Sequence, residues 1–338
     1  MRFGPVPTAE ALGTILAHSC QCGGRKLAKG SVLTAGDIER LLADGMTELV
    51  VARLEPGDVD ENAAAARMAA ALVPNPESSG LRLTAAHTGR VNLNAAVPGV
   101  LDLDAERIHA LNRLDPALTL AVLAPWTRVT PGMLAGTVKV ISYAVPGRVL
   151  DRACELAKGA VRLRPVVMRS AGLILTSVDG TAGRLADKSV AAVQGRLSAL
   201  GMELSEVAFV RHETAALAAA LDRLGGDMAL ILTEAATSDL YDTAPEALRR
   251  AGGQVARFGM PVDPGNLLFY GRLAARPVIG LPGCARSPQL NGADWVLERL
   301  ACGIDLRDDD IATMGVGGLL KEIPIRPLPR ETRKVLPD

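Results

Sequence analysis

Beyond position 170 the apolar residues fall into two alternating kinds of run. GLILTS (172–177) and MALILT (228–233) are short and continuous, as in strands covered on both faces. Between them, Val190, Val193, Leu197 and Leu200 recur at helical spacing, with Gly201 as a stop. Leu217, Leu221 and Leu224 form a second stripe. EVAFVR (206–211), QVARFGMPV (254–262) and RPVIGLP (276–282) predict further strands. Thr243 and Glu246 read as a capping box with Pro245 in the first turn, and Ser287 to Ala301 contains the last large helix. Strands alternating with helices predict an α/β fold, a three-layer sandwich with a largely parallel sheet.

The earlier half is less regular. Thr34 with Asp37 starts a helix that carries Ile38, Leu41 and Leu42 and stops at Gly45; a strand follows at 47–54. Residues 61–72 are alanine-rich and helical by propensity, and Asp104 starts a helix over 105–112. LTLAVLAP (118–125), GTVKVISYAV (136–145) and AVRLRPVV (160–167) predict strands, with a helix over 147–158. This pattern predicts a mixed α+β region over 1–168, with a sub-boundary in the loop at 74–80. The α/β domain spans 169–305, and a proline-broken tail covers 306–338.

A length of 338 residues leaves room for about two domains of ~150 residues. The 37 basic and 37 acidic side chains cancel, so nothing favours bulk nucleic-acid binding, and an anionic ligand needs a local site. Five scattered cysteines read as reduced thiols, and no apolar segment approaches a membrane span or a signal-peptide core. A cytoplasmic protein is expected. His18 with Cys20 and Cys22 is either the start of a metal site or an ordinary loop, and no second ligand pair follows. His18, Lys29, Arg53, Glu55, Asp58, Glu61 and Asn62 are a polar set flanking strands. Among them Asp58, Glu61 and Asn62 either hold a metal or partner or form a solvated helix start. His87, His109 and His212 have no ligand-spaced companion.

In an open α/β sheet, ligands gather at the carboxyl ends of the strands. The segments leaving those ends here, 176–187, 233–242, 261–267 and 282–287, are rich in Gly, Ser, Thr, Asp and Pro, suited to a phosphate or pterin cradle without a Walker loop.

The motifs on these segments resemble the molybdopterin-binding fold of molybdopterin adenylyltransferases, molybdenum insertases and gephyrin. They are LILTS (173–177), Asp187-Lys188-Ser189, ALILTEAATSD (229–239), MPVDPGNLL (260–268) and IGLPGCARSP (279–288). Upstream stretches at 17–19, 27–65, 89–93 and 136–146 are similar to a subgroup often fused to a molybdenum cofactor nucleotidyltransferase, so the resemblance reaches about residue 303. Three departures stand out. Glu234-Ala235-Ala236 precedes Thr237-Ser238 where the catalytic family has Gly-Gly-Thr, Cys284-Ala285 replaces Asn-Pro, and no fused nucleotidyltransferase is expected.

The resemblance implies molybdopterin, or its nucleotide form, as ligand, with Mg²⁺ and ATP or CTP as co-substrates of an enzyme. Asp187 is the first candidate for a metal-bridging or acid–base carboxylate, or else a plain N-cap, and Asp239 is the second metal and catalytic candidate. Thr237 and Ser238 are candidates for the phosphate, and Asp263, Pro264 and Gly265 for the pterin. Pro282 and Gly283 line the last turn, and Arg286 and Ser287 meet the phosphate, with Ser177 and Ser189 completing the set. Each polar turn has a purely structural alternative, and Cys284 reads as a small helix-entry residue. Two functions follow. One is activation of the cofactor, or help in molybdate insertion. The other is a non-catalytic carrier that serves a molybdoenzyme or a nucleotidyltransferase. An unrelated sugar- or nucleotide-binding protein is a third. Fold relatives make a homo-oligomer the expectation.

Overall fold

The computed structural model describes residues 1–178 and 184–320, without the side chains of 184 and 185. The chain forms two compact units, one of residues 1–97 and 101–164, the other of residues 98–100 and 165 onward.

In the first unit, strands Arg2–Pro7, Glu48–Arg53 and Ile15–Leu16 form an antiparallel sheet. Helix Ala35–Ala43 begins with the expected Thr34–Asp37 capping box, and Leu16, Leu33, Leu41 and Val51 fill a small core. Cys20–Cys22 is one strand of a hairpin with Arg25–Leu27, and Cys22 is buried in that core. A four-stranded sheet follows, of Leu118–Val122, Leu134–Val140, Arg90–Ala95 and Leu81–Leu83 in that order. Helices Glu61–Leu72, Ala105–Leu114 and Gly147–Ala157 share its core through Met68, Leu111 and Leu150. The loop at 74–80 contains one helical turn, Pro76–Ser79, closed by Gly80 at φ +68°.

In the second unit, in chain order, are β1 (Ser170–Ser177), α1 (Arg184–Ser198), β2 (Glu203–Arg211), α2 (Thr214–Arg223), β3 (Met228–Leu232), α3 (Thr243–Arg250), β4 (Gln254–Phe258), β5 (Phe269–Leu273), β6 (Arg276–Gly280), α4 (Gly292–Ala301) and α5 (Asp308–Ala312). The sheet order is β2-β1-β3-β6-β5-β4. β1, β2, β3 and β6 are parallel, and β5 runs antiparallel to both its neighbours. Successive strand side chains point to opposite faces. Leu173, Leu175, Leu230 and Ile279 therefore pack with Val193 and Leu197 of α1 and Val296 and Leu300 of α4. Ile174, Ala229, Ile231 and Val278 pack with Leu217 and Leu221 of α2 and Ala247 and Leu248 of α3. The result is a three-layer α/β/α unit. At the β5–β6 pairing, Gly280 lies opposite Phe269, and a Cβ on Gly280 would fall 1.9 Å from the Phe269 ring.

Two local expectations change and a third is placed more closely. α3 is capped by Asp242, whose carboxylate accepts from the Thr243 N–H, while Glu246 pairs with Arg249 instead of closing a box on Thr243. The last large helix, Gly292–Ala301, lies within the expected 287–301; Asn291 and Asp294 form its capping box, and residues 283–286 make a separate 3-10 turn before it. The segment from 306, read as a tail, contributes Leu306, Ile311 and Met314 to the core beneath α1 and α4, so its apolar residues extend the unit to at least 320. The rest of that segment, 321–338, lies outside the described residues.

Candidate functional site

Parallel strands end at one edge, so the carboxyl ends of β1, β2, β3 and β6 share a rim. β4, separated from β6 by the antiparallel β5, sends its loop to the same edge.

At the centre of the rim the hydrogen bonds run between loops. Thr176, near the end of β1, is nearly buried. Its Oγ1 accepts from the Glu234 N–H at 3.0 Å and lies 2.9 Å from His212 Nδ1. The His212 N–H donates to Ser177 O at 2.9 Å, which ties the end of β2 to that of β1. Thr233 donates its hydroxyl to Ala235 O at 2.6 Å and so folds the loop after β3 back on itself.

Arg286, from the turn after β6, crosses this group. Its Nη1 donates to Ser189 Oγ at 3.1 Å and its Nη2 to Thr233 O at 2.6 Å. Ser189 is fully buried on α1, so the guanidinium links α1, β3 and the β6 turn. Burial lowers the Arg286 pKa, and the charge of Glu234 acts in the opposite sense. Pro282 is buried, whereas Gly283 is exposed, and a Cβ on Gly283 would meet nothing within 4 Å.

The turn that carries Arg286 is held from below. Arg196 of α1, only 8% exposed, donates through Nε to Asp294 Oδ1 at 2.6 Å. Its Nη1 donates to Ala285 O at 2.9 Å, and its Nη2 to Ser287 O at 2.7 Å and Gln289 O at 3.0 Å. Asp294 uses its other oxygen to accept from the Asn291 N–H at 2.8 Å. One buried pair therefore sets both the 285–289 loop and the start of α4. Ser287 contributes its carbonyl to this clamp, and its Oγ accepts from the Gln289 N–H at 3.3 Å.

The loop after β3 carries the remaining polar candidates. Thr237 is buried. The Ser238 N–H donates to Asp242 Oδ2 at 2.9 Å, and Asp239 Oδ1 accepts from the Tyr241 N–H at 2.7 Å. Burial raises the Asp242 pKa, but the bonds from the Ser238 and Thr243 N–H groups, with the nearby His212, bring it below its ordinary value. Asp239 and Asp187 are exposed, and Asp187 stands within the first turn of α1 as described, not at its cap. Among the described residues no three His, Cys, Asp or Glu side chains come together in a metal-holding set.

The Asp263-Pro264-Gly265 turn is engaged elsewhere. The Asp263 N–H donates to Gly318 O at 2.8 Å, and its carbonyl accepts from the Leu320 N–H at 3.0 Å. Pro264 O accepts from the Gly292 N–H at 2.8 Å, and Gly265, at φ +141°, leaves room for Gly292: a Cβ would fall 2.7 Å from that nitrogen. The structure thus joins Ser177, Ser189, Pro282, Gly283 and Arg286 around Thr176, Thr233 and His212, with the Ser238–Asp242 turn beside His212. The Asp263 turn is fastened to α4 and the 318–320 segment. His212 and Arg196 were not singled out from sequence: a lone histidine and a mid-helix arginine carry no spacing signal.

Residues 172–300 match the family described as "Probable molybdopterin binding domain", and residues 5–53 match a domain of unknown function. No curated protein matches the chain. Similar solved structures include a molybdopterin biosynthesis moea protein from Pyrococcus horikosii, at 14% identity over 89% of this chain and 75% of that one, with a TM-score of 0.32. Another is a molybdenum cofactor biosynthesis protein from Pyrococcus furiosus, at 12% identity over 92% of this chain and 65% of that one, with a TM-score of 0.24. Both likenesses are too remote to bear on the site. Among the described residues no helix is long and apolar enough to cross a membrane. The family match thus falls on the α/β unit, from β1 to the end of α4.

Proposed function

We propose that the α/β unit binds molybdopterin, or its nucleotide form, at the rim formed by the carboxyl ends of β1, β3 and β6. The observation that carries this is the pairing of Arg286 with Gly283. A cation is held across three elements, next to a glycine whose Cα faces open space and that the fold does not itself require. Such a glycine admits a ligand to the backbone, and the guanidinium supplies charge to a phosphate. Ser177, Thr237, Ser238 and Ser287 are the further hydroxyl contacts proposed, and Asp263 and its turn the contact to the pterin.

As an enzyme the unit would activate the cofactor with ATP or CTP, or assist molybdate insertion. Mg²⁺ takes one or two carboxylates together with substrate phosphates, so Asp187 and Asp239 would hold it only with oxygens from the ligand. The carrier function, delivery to a molybdoenzyme or nucleotidyltransferase, is favoured by one observation: Glu234 places a negative charge close enough to Arg286 to act on it. Binding of molybdopterin to wild-type, Gly283→Val and Asp263→Ala protein tests the site. Both variants are expected to bind more weakly, and wild-type affinity in both would refute it. Pyrophosphate release from ATP or CTP in the presence of molybdopterin separates enzyme from carrier.

A further inference from the structure

The carboxyl ends of β1 and β3 carry a second polar group, on the opposite face of the sheet from Arg286. Thr176 has the parity of Ile174, which packs against α2 and α3. Ser189, the partner of Arg286, stands on α1 in the other layer. Between them lies the peptide that joins Thr233 to Glu234. Its oxygen accepts from Arg286 Nη2 at 2.6 Å, and its N–H donates to Thr176 Oγ1 at 3.0 Å. The two polar groups of a trans peptide point in opposite directions. The guanidinium and the threonine hydroxyl therefore stand on its two sides.

His212 completes the threonine side. It follows β2, is half-buried, and is fixed twice by consecutive residues of β1. Its N–H donates to Ser177 O at 2.9 Å, and its Nδ1 lies 2.9 Å from Thr176 Oγ1. A ring pinned through one nitrogen presents the other in a set direction. Asp242, whose charge lies near His212, uses Oδ1 for the Thr243 N–H and Oδ2 for the Ser238 N–H. Among the described residues nothing bonds His212 Nε2. We propose that His212 Nε2 donates to the second phosphate of a diphosphate ester whose first phosphate lies at Arg286, with Thr176 as the positioning residue. This rests on the rim reading and deepens it. The favoured ligand carries adjacent phosphates, as the nucleotide form of the cofactor or a free nucleoside triphosphate does, whereas molybdopterin carries one.

The test is equilibrium binding of inorganic pyrophosphate, ATP, CTP and molybdopterin to the full chain. Asparagine places an amide near the position of Nδ1 and lacks Nε2, so His212→Asn removes the ligand contact and keeps a partner for Thr176. Wild type should bind at least one of the three diphosphate-containing probes, and His212→Asn should weaken that binding about tenfold or more. Molybdopterin binding should change less than about threefold. ATP or CTP binding well above pyrophosphate identifies a free nucleotide as the source; equal binding of all three points to the nucleotide form of the cofactor. Thr176→Val should lose part of the same preference, and Thr176→Ser should restore it. The chain has four histidines, so ¹⁵N spectra resolve each ring. Pyrophosphate should shift His212 Nε2 and leave His18, His87 and His109 in place. The proposal is overturned if no diphosphate binds, if His212→Asn binds diphosphates like wild type, if it loses molybdopterin to the same extent, or if Nε2 does not respond. Failure of wild type to bind molybdopterin refutes the rim reading itself, whereas molybdopterin binding that is sensitive to Gly283→Val, with diphosphates indifferent to His212, refutes this inference alone.

Discussion

Replacing Arg196 with Met leaves the Asp294 carboxylate buried without its cation and strips three carbonyls of the 285–289 loop of their donors. Both side chains of the pair are under a tenth exposed, at 8% and 9%, so solvent can replace little of what is lost. Breaking a buried pair by removing one member costs about 3–5 kcal/mol. For a unit of this size each kcal/mol lowers the melting temperature by about 2–4 °C, so Arg196→Met should lose roughly 6–20 °C. Arg196→Met with Asp294→Asn removes both charges while keeping an acceptor for the Asn291 N–H, and it should be less destabilised than the sum of the single variants by about 0.5–3 kcal/mol. Urea denaturation of wild type, both singles and the double variant measures this coupling. A single variant within about 1 kcal/mol of wild type, or a double variant equal to the sum, would show that the clamp is an incidental contact.

Four further outcomes are expected. Gly280→Ala drives its methyl into the Phe269 ring and should cost about 1–3 kcal/mol, whereas Gly283→Ala, with open space around it, should stay within about 0.5 kcal/mol of wild type; thermal melts compare the two. Asp242→Ala removes the α3 cap at a cost of about 1 kcal/mol. Because the folded pKa of Asp242 is lowered, its contribution is present above the ordinary carboxylate range and lost as pH falls through the folded value, so the gap between wild type and variant should close on acidification. Gly318→Val would place a side chain 2.5 Å from Pro261 O, and hydrogen exchange at the Asp263 and Leu320 amides should lose protection. Burial pushes the Cys302 thiol up to about 12, so an alkylating agent at neutral pH should leave Cys302 unmodified until the protein unfolds.

The layered fold was legible because burial on both faces leaves a direct trace: GLILTS and MALILT are continuous apolar runs, and the helices between them repeat at 3.6 residues. β5 left no such trace. Phe269–Leu273 is short, follows a proline–glycine turn, and owes its antiparallel place to pairing with distant strands. Helix starts were legible where a cap and its partner stand three apart, as at Thr34 and Asp37, and misplaced at Asp242, where the capping carboxylate precedes the expected threonine by one. The chemistry of the rim turns could be read locally. Which turns meet could not, since strand order decides it, and neither could the burial of Arg196, whose partners lie about ninety residues away.

The central strand β3 divides its side chains between two cores, with Leu230 toward α1 and α4 and Ile231 toward α2 and α3. Adding or deleting one residue inside it would exchange the two sets at once and set each leucine against the wrong layer. The loop that follows, from Thr233 to Asp242, has no such parity. Diversification by insertion is thus confined to the turns of the rim, while the strands beneath accept only substitution.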